Sequence, residues 1–374
     1  MNFGFTEEQK LLRAEVRKFL DQNCPIEEVR KISETPDGYA RHLWDRMAEL
    51  GWVGLTLPEE HGGVDLGWVD FVVVLEETGR SLFPSPLVST VLAATAIARA
   101  GSAEQQAAWL PKLAAGQAIG SLAHLEGARL DAAGIALVGS AVGGGFRLTG
   151  EKLLVSDAQN ADVFVVPFRT GPEAEAISLA LVPSDADGLW IEPHVTLDRT
   201  RRMGRLRFDG VAVPADALLG EAGTGWPLLA HLLDCGAMAI TAEMVGAAEG
   251  AVTLTVDYAR ERVQFGQPIG RFQGVKHPLA EMYVDVESFK SLCYWAAWQL
   301  DQGSEDAPLA VSRAKAIASD AFARIGIDGV GLHGGVGYTA EYDIQLYLKR
   351  AKWARPAFGD SDWHYERINR LGGL

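Results

Sequence analysis

The chain has 374 residues, 48% hydrophobic and 22% charged, which allows a large shared core and excludes a disordered composition. A net charge of −15 argues against nucleic acid or an anionic membrane surface as partner. The cysteines, Cys24, Cys235 and Cys293, lie far apart with no CxxC or Cys/His cluster, so neither a disulfide framework nor a metal site is expected.

The opening MNFGFTEEQK has no basic region followed by an apolar run, so no secretory signal is expected and the location is expected to be cytoplasmic. Thr6 followed by Gln9 forms a capping box before the amphipathic EEQKLLRAEVRKFLDQ, and Ser102 with Gln105 repeats it. Between them GWVGLTLPEEHGG (51–63) reads as a loop from its Gly and Pro content. The apolar LVSTVLAATAIARA (87–100) carries an Arg and two Thr and falls short of the roughly 20 residues a bilayer requires. Residues 1–117 are therefore expected to form a helical domain.

Over 118–222 the period changes to short β-rich runs, FRLTGEKLLVSD, ADVFVVPFRT, AISLALVPS and GRLRFDGVAVP, which predict a small sheet or barrel. One segment there, DRTRRMGRLRFDG (198–210), interrupts the acidic balance. Arginine suits phosphate recognition, but charge runs are usually surface, so a solvated hairpin or a salt-bridged subunit contact is the favoured reading. Helices return over 223–374: a long apolar stretch from WPLLAHLLDC, then HPLAEMYVDVESFKSLCYWAAWQLDQG, then EDAPLAVSRAKAIASDAFARIGIDGVGLHGG. The order is helices, β unit, helical bundle.

Between the first two bundle helices lies RERVQFGQPIGRFQGVKHPLAEM (260–282), and near the C-terminus HGGVGYTAE (333–341). With FTEEQKLLRAEVRKFL and the 51–63 loop, these make the whole chain resemble the acyl-CoA dehydrogenase family. That resemblance implies a mainly α fold with a central β domain and a C-terminal four-helix bundle. It implies FAD as cofactor, an acyl-CoA thioester as substrate and an acceptor such as an electron-transfer flavoprotein. In such enzymes a carboxylate takes the α-proton while the β-hydrogen leaves as hydride to the flavin.

The resemblance implies that Arg262, Phe265 and Gln273, with the Gly334–Gly335 turn, reach the FAD of a neighbouring subunit. Gly331 departs from the family's Gln there. The flavin contacts a chain makes in its own β domain are poorly matched. SLAHLEGARLDAAG (121–134) departs from the Thr-Glu-Pro and Gly-Ser-Asp pattern, Leu154 stands at the usual Trp, and Ser156 at the usual Thr. The catalytic base is missing as well: Phe358 occupies its usual place and Gly236, beside Ala237, the alternative one. Asp360 and Glu243 remain as weak candidate bases. The favoured expectation is a base-lacking subunit of a heterotetrameric dehydrogenase. It would share FAD with a homologous partner, in the manner of the actinobacterial members that degrade steroid side chains. A homomeric enzyme with a relocated base, and a non-enzymatic acyl-CoA-binding or scaffold protein, stay open.

Overall fold

The computed structural model describes residues 4–372. Six helices come first: α1 (Glu7–Asn23), α2 (Ile26–Glu34), α3 (Arg41–Glu49), α4 (Trp68–Arg80), α5 (Leu87–Ala100) and α6 (Ala103–Ala114). Both anticipated capping boxes form: the Thr6 and Ser102 hydroxyls accept from the N–H groups of Gln9 and Gln105, whose side chains return the bond.

The β segment is a mixed sheet of β1 (Gly120–Leu122), β2 (Val138–Val142), β3 (Gly145–Ser156), β4 (Val163–Arg169), β5 (Ile177–Pro183), β6 (Leu189–His194), β7 (Met203–Val213) and β8 (Leu218–Leu219). Its path runs β6-β7-β3-β2-β4-β5-β8, with β1 parallel to β4, so it ends in two edges and is not a closed barrel. β4 and β5 bury all but their last residue, which explains their continuous apolar reading. β3 pairs antiparallel with β7 and carries a register shift between Lys152 and Val155, a bulge that sets Leu154 apart from the ladder.

The remainder is α7 (Trp226–Glu261), a hairpin of β9 (Val263–Gln264) and β10 (Gln267–Pro268), then α8 (Gln273–Asp301), α9 (Ala307–His333), α10 (Ile344–Ala354) and α11 (Ser361–Gly372). The order is an N-terminal helical domain, a central sheet and a C-terminal helical domain, as the sequence leads one to expect. α7 is long and apolar enough to cross a membrane, but 83% of that stretch is buried, as in the core helix of a globular protein. Two glycines let α7 cross α4 backbone to backbone. A Cβ at Gly246 would fall 1.7 Å from the Glu76 carbonyl oxygen, and one at Gly79 would fall 2.1 Å from that of Glu243.

Packing groups the chain into two compact units that interleave along the sequence. A helical unit comprises residues 1–31, 68–83 and 237–374, and a sheet unit comprises 32–67 and 84–236. The helical unit is braced by Arg17, which donates two bonds to the buried Glu77, and by Arg13 on Glu76.

Candidate functional site

In the helical unit, α7 ends at Glu261 and the chain turns at once through the β9–β10 hairpin. Phe265 and Gly266 form its two-residue loop with φ of +52° and +76°, the left-handed pair that the native twist of tight hairpins demands. Glycine suits this turn. A phenylalanine held there costs of order 1–3 kcal/mol. Phe265 is also 92% exposed, touching Phe272 edge-on at 6.0 Å between ring centroids. Beyond that one edge contact a strained, solvated aromatic adds little to its own chain, which marks it as a contact for something else.

Arg262 precedes this tip, exposed, and among the described residues its guanidinium has no ion-pair or hydrogen-bond partner. α8 begins at Gln273 with Phe272 as its N-cap and no side-chain capping bond, so its first N–H groups are left over. Gly334, at φ +63°, and Gly335 end α9, and a Cβ on either would meet nothing within 4 Å. Uncommitted donors, a helix N-terminus and open glycine backbone are the chemistry that holds phosphate oxygens, so these residues fit half of a dinucleotide site.

The loop between α10 and α11, where the resemblance places the usual base, is firmly built. Phe358 is half-buried at φ +54°, and its carbonyl accepts from His364 Nε2 at 3.0 Å. Lys315, fully buried in α9, donates to Ser319 Oγ and to the carbonyls of Arg355 and Gly359. Burial pushes the Lys315 ammonium down to about 7, against the pull of Asp360, and the His364 imidazole down to about 3. Asp360 is exposed, and its Oδ1 accepts from the Trp363 N–H at 2.9 Å, the bond of a helix N-cap for α11. Glu243 lies buried where α7 crosses α4, and Gly236 and Ala237 are buried within α7. The candidate bases thus occupy separate positions.

The sheet unit presents a different picture. Leu154, on the bulge, adopts φ +47° and is 48% exposed, so the backbone device for projecting position 154 is present while the side chain there is aliphatic. Ser156 turns its hydroxyl to the Met203 sulfur at 3.6 Å, and its carbonyl accepts from Ser121 Oγ at 2.6 Å. Behind the bulge stands a pair the sequence reading did not find. The fully buried Lys152 ammonium donates to Glu126 Oε1. Glu126 Oε2 accepts from the N–H groups of Ala136 and Leu137 at 2.9 and 2.6 Å. The Leu153 N–H bonds the Leu125 carbonyl at 2.7 Å, closing the 121–137 segment onto β3. Burial lowers Lys152 to about 8 despite Glu126, and lowers His124 to about 4, with Lys152 adding to the effect. The one signal that could have found Lys152 is its spacing in β3, an even step from the buried Leu148 on the same face. Nothing in the sequence linked it to Glu126.

Residues 6–117 match the family model described as acyl-CoA dehydrogenase, N-terminal domain, and residues 223–372 that of the C-terminal domain. The chain is 31% identical to the probable acyl-CoA dehydrogenase YngJ of Bacillus subtilis, over 97% of each chain. It is similar to a chain of the ChsE4-ChsE5 complex from Mycobacterium tuberculosis, at 30% identity and a TM-score of 0.91, covering 100% of this chain and 99% of the other. It is also similar to the Tcur3481-Tcur3483 steroid ACAD, at 31% identity and a TM-score of 0.89 over 98% of each chain.

Proposed function

The chain belongs to the acyl-CoA dehydrogenase family of flavin oxidoreductases, and we propose that within it this protein is the base-lacking subunit of a heteromeric enzyme. The observation that carries the reading is an asymmetry. Groups suited to a neighbour's cofactor are uncommitted, whereas those of the chain's own ring-side segment are bonded to each other. The two similar structures whose names join two components lend support.

Bound FAD supplies the hydride acceptor for α,β-dehydrogenation of an acyl-CoA thioester. Toward a FAD held by the partner, Arg262 supplies positive charge for the pyrophosphate. Gln273 and the start of α8 supply N–H donors, and Gly334 and Gly335 let the backbone come close. Phe265 adds an apolar face at the edge of that site. This chain moves no proton: Phe358 has no titratable group, and Asp360 is committed to capping α11. The partner brings the base and the ring-side contacts. The complex takes a bulky acyl-CoA of the steroid-side-chain kind and passes electrons to an electron-transfer flavoprotein.

The test is Arg262→Ala made only in this chain of the co-purified complex. A lost charged hydrogen bond is worth roughly 1.5–3 kcal/mol, so FAD affinity should fall about tenfold to a hundredfold. Unchanged flavin retention would remove the reading's main support.

A further inference from the structure

The fold sorts the arginines of the 198–210 stretch by what they touch. Arg205 pairs with Glu192 and Glu151, and Arg207 lies over the Trp190 ring at 5.6 Å. Arg202 is caged by the main-chain carbonyls of Ser33, Thr35, Pro36 and Arg199, and among the described residues it touches no carboxylate. Gly38 makes that cage possible, since a Cβ there would stand 2.4 Å from Arg202 Nε. Arg199 spends only Nη1 on Glu34, at 2.8 Å from each oxygen, and keeps Nε and Nη2 uncommitted. The expected hairpin is present, and the salt bridges run within the chain.

Between these groups, inside the sheet unit, is a cleft of about 200 Å³ lined by Glu34, Gln159, His194, Thr196, Arg199 and Arg202. Two guanidiniums line it, and of the two only Arg199 bonds a carboxylate, that of Glu34. Burial first, and the Arg199 charge second, hold the Arg202 guanidinium below its ordinary pKa. An anion in the cleft would relieve that repulsion. The Arg199–Glu34 pair is more than half exposed at both ends, 55% and 65%, so it resists displacement weakly. An oxyanion meeting Nε and Nη2 together gains the two parallel bonds of a guanidinium fork. One further group at the lining is short of a partner: among the described residues Gln159 Oε1 is shielded from solvent and accepts no hydrogen bond, and a turn of the side chain toward the cleft would let it meet an O–H or N–H there. Pockets for whole drug-sized ligands begin at about 300 Å³, so this one seats a compact group and neither a dinucleotide nor an acyl chain.

We propose that this cleft binds a compact oxyanion that also carries a hydroxyl, of the phosphate or hydroxycarboxylate class. Arg199 holds the charge and Gln159 accepts the ligand's O–H. Sulfate, which has the charge but no O–H at neutral pH, is the discriminating control.

The experiment is titration calorimetry of the full chain with inorganic phosphate, citrate and sulfate at matched ionic strength. Phosphate or citrate should bind saturably and several-fold more tightly than sulfate. Tighter phosphate assigns a phosphate or its ester, and tighter citrate a hydroxycarboxylate. Arg199→Gln, at an exposed position, should weaken binding about tenfold or more. Gln159→Leu should erase the preference over sulfate, and Arg205→Gln, the same charge change on a paired residue of the hairpin, should leave binding intact. The proposal is overturned by the absence of saturation below about 10 mM, by sulfate binding as tightly as phosphate, or by equal losses from Arg199→Gln and Arg205→Gln.

Discussion

The β9–β10 tip with the α8 and α9 ends, and the β3 bulge with the 121–137 segment, treat their polar groups in opposite ways. At the first, the Arg262 side chain has no partner among the described residues, the opening N–H groups of α8 have no side-chain cap, and Phe265 is held strained and in solvent. At the second, Glu126 accepts three hydrogen bonds, Lys152 is spent on it, and Ser156 is turned toward Met203. Folding alone explains the second region, because buried polar groups are costly unless paired. It does not explain the first. Left-over donors and a strained aromatic lower the stability of a lone chain and make sense when a second molecule completes them. The difference is the one the proposed role calls for: a segment with no cofactor to hold closes on itself, whereas one kept for a neighbour's cofactor stays unfinished.

Substitutions should therefore cost stability in one region and assembly in the other. The largest effect is expected from Lys152→Met, which leaves the Glu126 carboxylate buried without its cation. Urea unfolding should show a loss of about 3–5 kcal/mol, and a loss under about 1 kcal/mol would mean the segment is not closed by this pair. Next comes Arg262→Ala, with its tenfold-to-hundredfold weakening of flavin in the complex but a change in lone-chain stability within about 0.5 kcal/mol. A large destabilisation of the lone chain would show that Arg262 is structural. Smaller again is Phe265→Gly, which should stabilise the isolated chain by about 1 kcal/mol by relieving the left-handed turn while weakening assembly with the partner. Equal or lower stability would remove the strain argument. Asp360→Asn should do least: asparagine caps as well as aspartate, so stability should stay within about 0.5 kcal/mol and activity of the complex should not change. Abolished turnover would make Asp360 the base.

Sequence pattern carried much of the fold. Thr6/Gln9 and Ser102/Gln105 announced two helices because capping is local, and β3, β4, β5 and β7 were legible as β-rich runs between turn residues. The shorter strands were not: β1 has three residues, β2 is largely exposed with Gly139, Ser140 and Ala141 at its centre, and β6 contains a proline. α11 was not singled out within 223–374, because Gly359, Asp360 and Ser361 have the composition of a turn. They are one, and they also start a helix. The joining of α1 and α4 to the C-terminal helices depends on glycines at a crossing 167 residues apart (246 − 79), which no local pattern encodes. For the site, motif resemblance drew attention to Arg262, Phe265, Gln273 and the glycine turn, and the fold adds that they are uncommitted. The Glu126–Lys152 and Lys315–Gly359 bonds were invisible, since each joins residues distant in sequence and of ordinary type.

The most direct test is the flavin-to-protein ratio of this chain purified alone and again after co-expression with a homologous dehydrogenase subunit. The account predicts a nearly colourless lone protein and a yellow complex whose FAD is retained only when both chains are present. A lone chain carrying close to one FAD per subunit would contradict it, because the repaired β3 segment would then be holding the cofactor it is argued to have lost.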